Sequence, residues 1–270
     1  MAGFTSYDDL ISEITANDKI YPRNGFKFVT SPEAAGVWHS LWREAGMPGA
    51  GADPATTPGT QYDDTAGGLF YPDQASDIKR LVSGFFNLTQ GGHLKIYDRL
   101  VGVGGISVAS TGNKTISSAA LPRYTDGIGV EAWLEFSTAS TATIGSITLN
   151  SYTDTDDNTG QTGTAVSMPA AATNVNTMVQ LPLAAGDVGL KAISTINVGT
   201  ATTGGVVNVV LLKPLTPMIP LPINIGALVD FVLGFPSEPQ IFDGATLAFA
   251  VNGVSATTQR LDFLFNVAYG

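Results

Sequence analysis

Residues 121–137, LPRYTDGIGVEAWLEFS, carry a strict two-residue alternation. Val130, Ala132, Leu134 and Phe136 fall on one face, and Glu131, Trp133 and Glu135 on the other. That period is the signature of a half-buried strand, and Asp126-Gly127 before it supplies turn chemistry. From about Gly91 the pattern recurs to the end of the chain. Strands are expected over residues 94–101, 115–118, 129–137, 144–152, 162–168, 177–183, 192–198, 206–213, 228–233, 247–251 and 261–267. In the last of these Leu261, Phe263, Phe265 and Val267 point inward, and Arg260, Asp262 and Asn266 outward. Short strands separated by Gly-, Asn- and Asp-rich turns predict a mainly β chain, an antiparallel β-sandwich of jelly-roll type over residues 91–270.

Before residue 90 the periodicity differs. Residues 6–16 predict a helix: Ser6 can cap it, Asp8 and Asp9 suit the positive end of its dipole, and Tyr7, Leu10, Ile11 and Ile14 make an apolar stripe. Residues 19–30 read as extended. Ser31-Pro32-Glu33 predicts a second helix start, with Val37, Trp38, Leu41 and Trp42 as its apolar side and Gly46 and Pro48 as its stop. Residues 48–64 are rich in Gly, Pro, Ala and Thr and have no period. A loop of this length calls for a role, and reaching across a neighbouring subunit as an arm is the expectation; a plain linker is the alternative. Trp38, Trp42, Pro48, Pro54 and Pro58 are then the candidate interface residues, although two Trp at this spacing also suit a core. Residues 73–82 suggest a further helical turn or two, with Phe85 and Phe86 docking it. Residues 1–90 thus read as a helical and extended arm region.

Residues 215–235 are apolar, but Pro217, Pro220, Pro222 and Asp230 interrupt them, so they fall short of a membrane span. They read as a Pro-rich extended edge packed on another subunit, followed by a buried strand. No membrane partner is expected.

Composition narrows the function. Only 13% of the 270 residues are charged and the formal net charge is -10. Scarce charge fits a surface covered by other subunits, or one made of Thr, Ser and Asn. The acidic balance and the lack of a Lys/Arg cluster argue against nucleic acid. With no cysteine, thiol catalysis, disulfides and cysteine zinc sites are excluded. The start, MAGFTSYDDL, has neither the basic region nor the apolar run of a signal peptide.

Candidate chemistry is sparse. His39 and His93 stand in no metal-ligand or catalytic spacing. Asp154, Asp156 and Asn158 resemble the start of a calcium loop, but Thr159 and Ala165 stand where glycine and glutamate are required, leaving a solvated turn as the stronger reading. Glu131 and Glu135 lie about 13–14 Å apart along a strand, long for a glycosidase pair, with Trp133 between them able to stack a sugar. The bland reading, a polar strand face, is better. Residues 102–105, GVGG, lack the helix that would make a phosphate cradle. No cofactor or enzymatic activity is expected.

Three stretches together resemble a family: IYDRLVGVGG at 96–105, LPRYTDGIGVEAWLEF at 121–136 and LGFPSEPQIFDGATLAFAVN at 233–252. They are similar to structural proteins of tailed bacteriophages and prophages. The resemblance implies a virion role with no catalytic residues. With it, the low charge, the long Gly/Pro-rich arm and a β domain without a site lead to the expectation of a capsid decoration or cement protein on the major capsid protein's shell, self-associating, with a trimer expected. A tail, neck or baseplate component is the alternative, and a carbohydrate-binding β-sandwich module the third reading.

Overall fold

The strand Glu131–Ser140 has a partner on each edge, Gly204–Pro214 on one side and Thr177–Leu181 on the other. The computed structural model that shows this describes residues 6–30, 36–74, 77–141, 146–167, 174–200, 203–234 and 239–270. Thr177–Leu181 pairs with Trp38–Ser40, which pairs with Leu247–Gly253, which pairs with Gly92–Ser107. Gly92–Ser107 then pairs with Gly204–Pro214 and closes the ring. The centre is therefore a closed, antiparallel six-stranded barrel. Closure satisfies every edge in the ring, as a sandwich does not.

Two antiparallel layers flank the barrel. On one side lies the sheet built on Lys79–Leu88, Gln259–Tyr269 and Ile20–Val29. Phe86, Leu88, Leu261, Phe263, Phe265 and Val29 from this sheet pack against Leu94, Ile96, Leu247 and Phe249 from the barrel. On the other side, Gly112–Thr115, Leu190–Val198 and Ile147–Asp154 form a three-stranded sheet. Its Ile193, Ile196 and Leu149 meet Ala132, Leu134, Phe136 and Val209. The strand Glu131–Ser140 is thus buried on both faces, not one.

The chain is mainly β with antiparallel pairing, as expected, and the final strand has the expected inward face of Leu261, Phe263, Phe265 and Val267. The first helix forms at Tyr7–Asn17, where the Ser6 Oγ accepts from the Asp9 N–H at 3.1 Å. Leu10 is buried against Val82 and Ala268.

Several elements differ from the reading of the sequence. The proposed helix start at Ser31-Pro32-Glu33 lies outside the described residues, but Trp38–Ser40 is a barrel strand. Trp38 and Trp42 match a helical period by coincidence; Trp38 and Ser40, two apart, share the inward face. Residues 79–82, the end of the stretch 73–82 where a helical turn is predicted, open the strand Lys79–Leu88 instead, because its pairing with Gln259–Tyr269 outweighs local preference. Around 162–166 only isolated bridges form, Tyr152 with Gln161 and Ile147 with Val166. The strand expected at 228–233 is Ala227–Asp230, at an exposed edge instead of the interior.

Residues 48–64 fold back on their own chain. Pro54 is buried over Gly102 and Gly104. A Cβ on Gly104 would lie 2.2 Å from the Pro54 carbonyl oxygen, and one on Gly102 would lie 2.8 Å from the Tyr62 hydroxyl. The GVGG run is therefore a clearance for the loop that stoppers one end of the barrel. The described part of residues 1–90 supplies strands to the barrel and to a flanking sheet.

Candidate functional site

The barrel interior combines a buried charge pair with an apolar cluster of Tyr97, Trp133, Met178, Val210, Leu212 and Ala250. Alternation along Gly92–Ser107 sends Leu94 and Ile96 outward into a core and Lys95, Tyr97 and Arg99 inward. On Glu131–Ser140, Trp133 and Glu135 point inward. The face read from the sequence as polar is therefore the lining of a closed space.

At mid-barrel Arg99 donates from Nη2 to Glu135 Oε2 at 2.9 Å and from Nη1 to Oε1 at 3.2 Å. Both side chains are fully buried. Ser40 Oγ also donates to Glu135 Oε1. The guanidinium is stacked near Trp42 and Tyr62, 4.5 and 4.8 Å from their ring centres. Burial alone would raise the Glu135 carboxyl, but Arg99, helped by Arg43 and Ser40, outweighs it and holds the group at about 2. Trp42 is locked in turn: its Nε1 donates to the Ala52 carbonyl at 2.8 Å, and Gly51 packs flat on its ring.

Just outside this pair, Arg123 donates to both Asp98 oxygens, at 2.9 and 2.8 Å, and to the Tyr62 carbonyl at 3.0 Å. The Thr246 N–H adds a third donor to Asp98 at 3.2 Å. Burial pushes the Asp98 carboxyl up and Arg123 opposes it. Gly244, in the Asp243-Gly244 turn, has a positive φ of 71° and leaves room for the Asp63 carboxylate.

At the other end of the barrel the Lys95 ammonium lies over three rings, 5.6 Å from Trp38, 5.8 Å from Tyr97 and 5.5 Å from Trp133. Trp133 Nε1 donates to Glu131 Oε2 at 2.8 Å. This is an aromatic box occupied by the protein's own cation.

These contacts fix the sequence candidates. Trp133 is buried and cannot stack a sugar, and Glu135 is committed to Arg99. Asp154 spends Oδ1 on the N–H groups of Asp156 and Asn158 and Oδ2 on Asn158 Nδ2, closing a turn. Among the described residues no group of three His, Cys, Asp or Glu side chains is placed to hold a metal ion. His39 bonds Glu44 at 2.8 Å in a buried cluster with Thr30 and Asn176. Of the candidate interface residues, Trp42 and Pro54 are buried within the chain, Trp38 and Pro48 are half-buried, and Pro58 is exposed.

The residues that carry the sequence resemblance converge here. Tyr97, Asp98 and Arg99 come from the first stretch, Arg123, Trp133 and Glu135 from the second, and Gly244 and Thr246 from the third. The reading of the sequence assigned no role to Asp98, Arg99 or Arg123. For Asp98 and Arg99 the signal was present: an adjacent acid and base amid the apolar residues of 96–103, which a core tolerates only when each finds a partner.

No family model matches the chain, and no curated protein matches it. Among solved structures, the VP2 subviral particle of infectious bursal disease virus aligns at 10% identity over 96% of this chain and 85% of that one, with a TM-score of 0.20. The structure of the Gx strain of the same virus aligns at 10% identity over 93% and 80%, also with a TM-score of 0.20. At these TM-scores the likeness carries no argument.

Proposed function

We propose that this chain is a non-enzymatic structural component of a tailed-phage virion, most specifically a decoration or cement protein that binds the major capsid protein's shell and self-associates, as a trimer, on the capsid surface. One observation carries the reading. Among the residues shared with the phage structural proteins, Tyr97, Asp98, Arg99, Arg123, Trp133 and Glu135 are spent on a buried interior of paired charges and packed rings, which supports a scaffold role. A cement protein needs only that: contacts made with the assembled shell alone stabilise that shell by mass action, and repeated copies add avidity.

The second reading, a tail, neck or baseplate component, shares the scaffold argument and differs in stoichiometry. Quantitative mass spectrometry of purified virions against the major capsid protein separates them. Hundreds of copies per particle are expected for a cement protein. About a dozen or fewer, the count that ring symmetry at one vertex allows, overturns the shell assignment in favour of the neck or baseplate. The carbohydrate reading loses its binding platform because Trp133 is enclosed.

A further inference from the structure

The first helix covers Val82 and Ala268 on the outer face of the sheet that contains Lys79–Leu88, and beside it the described residues leave that face open. Leu228, Phe85 and Leu264 are direct cross-strand partners, so they form one row on that face. All three are exposed, Leu228 at 76%. The tip of the Phe85 ring sits against Gly226, whose Cβ, if present, would fall 2.0 Å from the ring. The row continues into a groove of about 610 Å³ between the first helix and the strand Ala227–Asp230, where Tyr7, Ile11 and Leu233 expose further apolar surface. The Tyr7 hydroxyl donates to the Val232 carbonyl at 3.2 Å and fixes one end of the groove. A contiguous apolar surface of this kind on a folded protein marks a contact.

Acids outnumber bases around it. Asp8, Asp9 and Glu13 lie on the helix, and Asp230 ends the strand and lines the groove. Lys19, next along the chain, is held between Glu13 at 3.0 Å and Asp77 at 3.4 Å, and Arg260 is paired with Asp262. A two-fold contact between copies would set these acids against themselves, and an anionic lipid surface would be repelled.

We propose that this groove and row dock a basic amphipathic segment of a different protein, with apolar anchors seated between Leu228, Ile11 and Leu233 and Lys or Arg side chains meeting the acidic border. Locating that partner in the capsid shell rests on the virion reading above. The surface itself rests on exposure and charge alone.

The test uses the full chain and a defined probe. A fluorescein-labelled amphipathic peptide of Leu and Lys is titrated against wild type, Leu228→Asp and Val188→Asp, followed by anisotropy, with a Leu and Glu twin as the second ligand. Val188 is exposed in the turn beside Gly129, away from the groove. Wild type and Val188→Asp are expected to bind the Leu/Lys peptide alike. The Leu/Glu twin and Leu228→Asp are each expected to weaken binding by about 10-fold or more. General attraction to an acidic protein predicts the reverse for Leu228→Asp, which adds a negative charge. Unchanged or tighter binding by Leu228→Asp overturns the proposal, as does equal binding of the twin. Self-association of wild type that Leu228→Asp abolishes also overturns it, in favour of a second copy. Patch-dependent peptide binding by a chain absent from purified virions upholds the surface and overturns the virion reading instead.

Discussion

The Arg99 guanidinium meets the Glu135 carboxylate through two hydrogen bonds, 2.9 and 3.2 Å long, inside a barrel that admits neither to solvent. Removing one member of such a pair leaves an uncompensated charge, whereas replacing both with apolar groups is often neutral. Glu135→Leu is expected to cost about 3–5 kcal/mol in denaturant unfolding, and Arg99→Met/Glu135→Leu to recover most of it. A double variant no more stable than the single one would show that the pair contributes more than its own neutralisation.

The same pair sets an acid limit. Glu135 is held at about 2 in the fold against 4.5 ordinarily. A depressed carboxyl adds stability that is fully present above the unfolded value and is lost as pH falls through the folded one. The window is therefore pH 4.5 down to about 2, with about 3 kcal/mol at stake. Unfolding free energies measured across that window should fall steeply in wild type and less steeply in the double variant.

The loop that stoppers the barrel depends on Gly104, where a Cβ would meet the Pro54 carbonyl oxygen. Gly104→Val is expected to destabilise by about 1–3 kcal/mol, the usual cost of overpacking, and to lift residues 48–64 off the strand. Limited proteolysis should then cut within that loop faster than in wild type, while Gly49→Ala, whose Cβ position is open, leaves the loop protected.

Truncation separates the helix from the body. Ile20–Val29 pairs along its whole length with Gln259–Tyr269, and Trp38–Ser40 completes the barrel. Deleting residues 1–60 should abolish cooperative unfolding. Deleting residues 1–18 removes the helix that covers Val82 and Ala268 and leaves the strand pairings in place, and a reduced but still cooperative melt is expected. A folded 1–60 deletion would mean that these residues are an appendage after all.

Trp133→Ala tests the enclosed ring. Truncating a buried aromatic costs about 3–5 kcal/mol, so thermal stability should drop sharply. A glycan array should give the same signal for wild type and variant; loss of a glycan signal in the variant alone would return the ring to a binding role.

Legibility in the sequence followed the range of the interactions. The first helix and the last strand were readable because capping and alternation are local, and Ser6 and Phe263 behave as their neighbours dictate. Alternation along 129–137 gave the strand but not its setting. Glu131, Trp133 and Glu135 look like a solvent face until Arg99 and Lys95 are brought opposite them, and that pairing is nowhere in the local pattern. Trp38 and Trp42 misled because their spacing fits a helix, whereas one lines the barrel and the other seals its end. The exposed row of Phe85, Leu228 and Leu264 was unreadable for the same reason: it exists only once three strands lie side by side.

The ring of six strands takes its members from residue 38 to residue 253, and spatial neighbours such as Trp38–Ser40 and Thr177–Leu181 are far apart in the chain. Long loops must close before such pairings return any energy, so folding is slow relative to a chain with local pairings. The ring cannot be completed while residues 247–253 are still unmade. Until then the apolar faces that later meet the flanking sheets are open to other chains. The sheet bearing Phe85 and Leu264 waits on Gln259–Tyr269 in the same way. The surface offered to a partner is thus assembled last, and only a finished subunit is competent to dock.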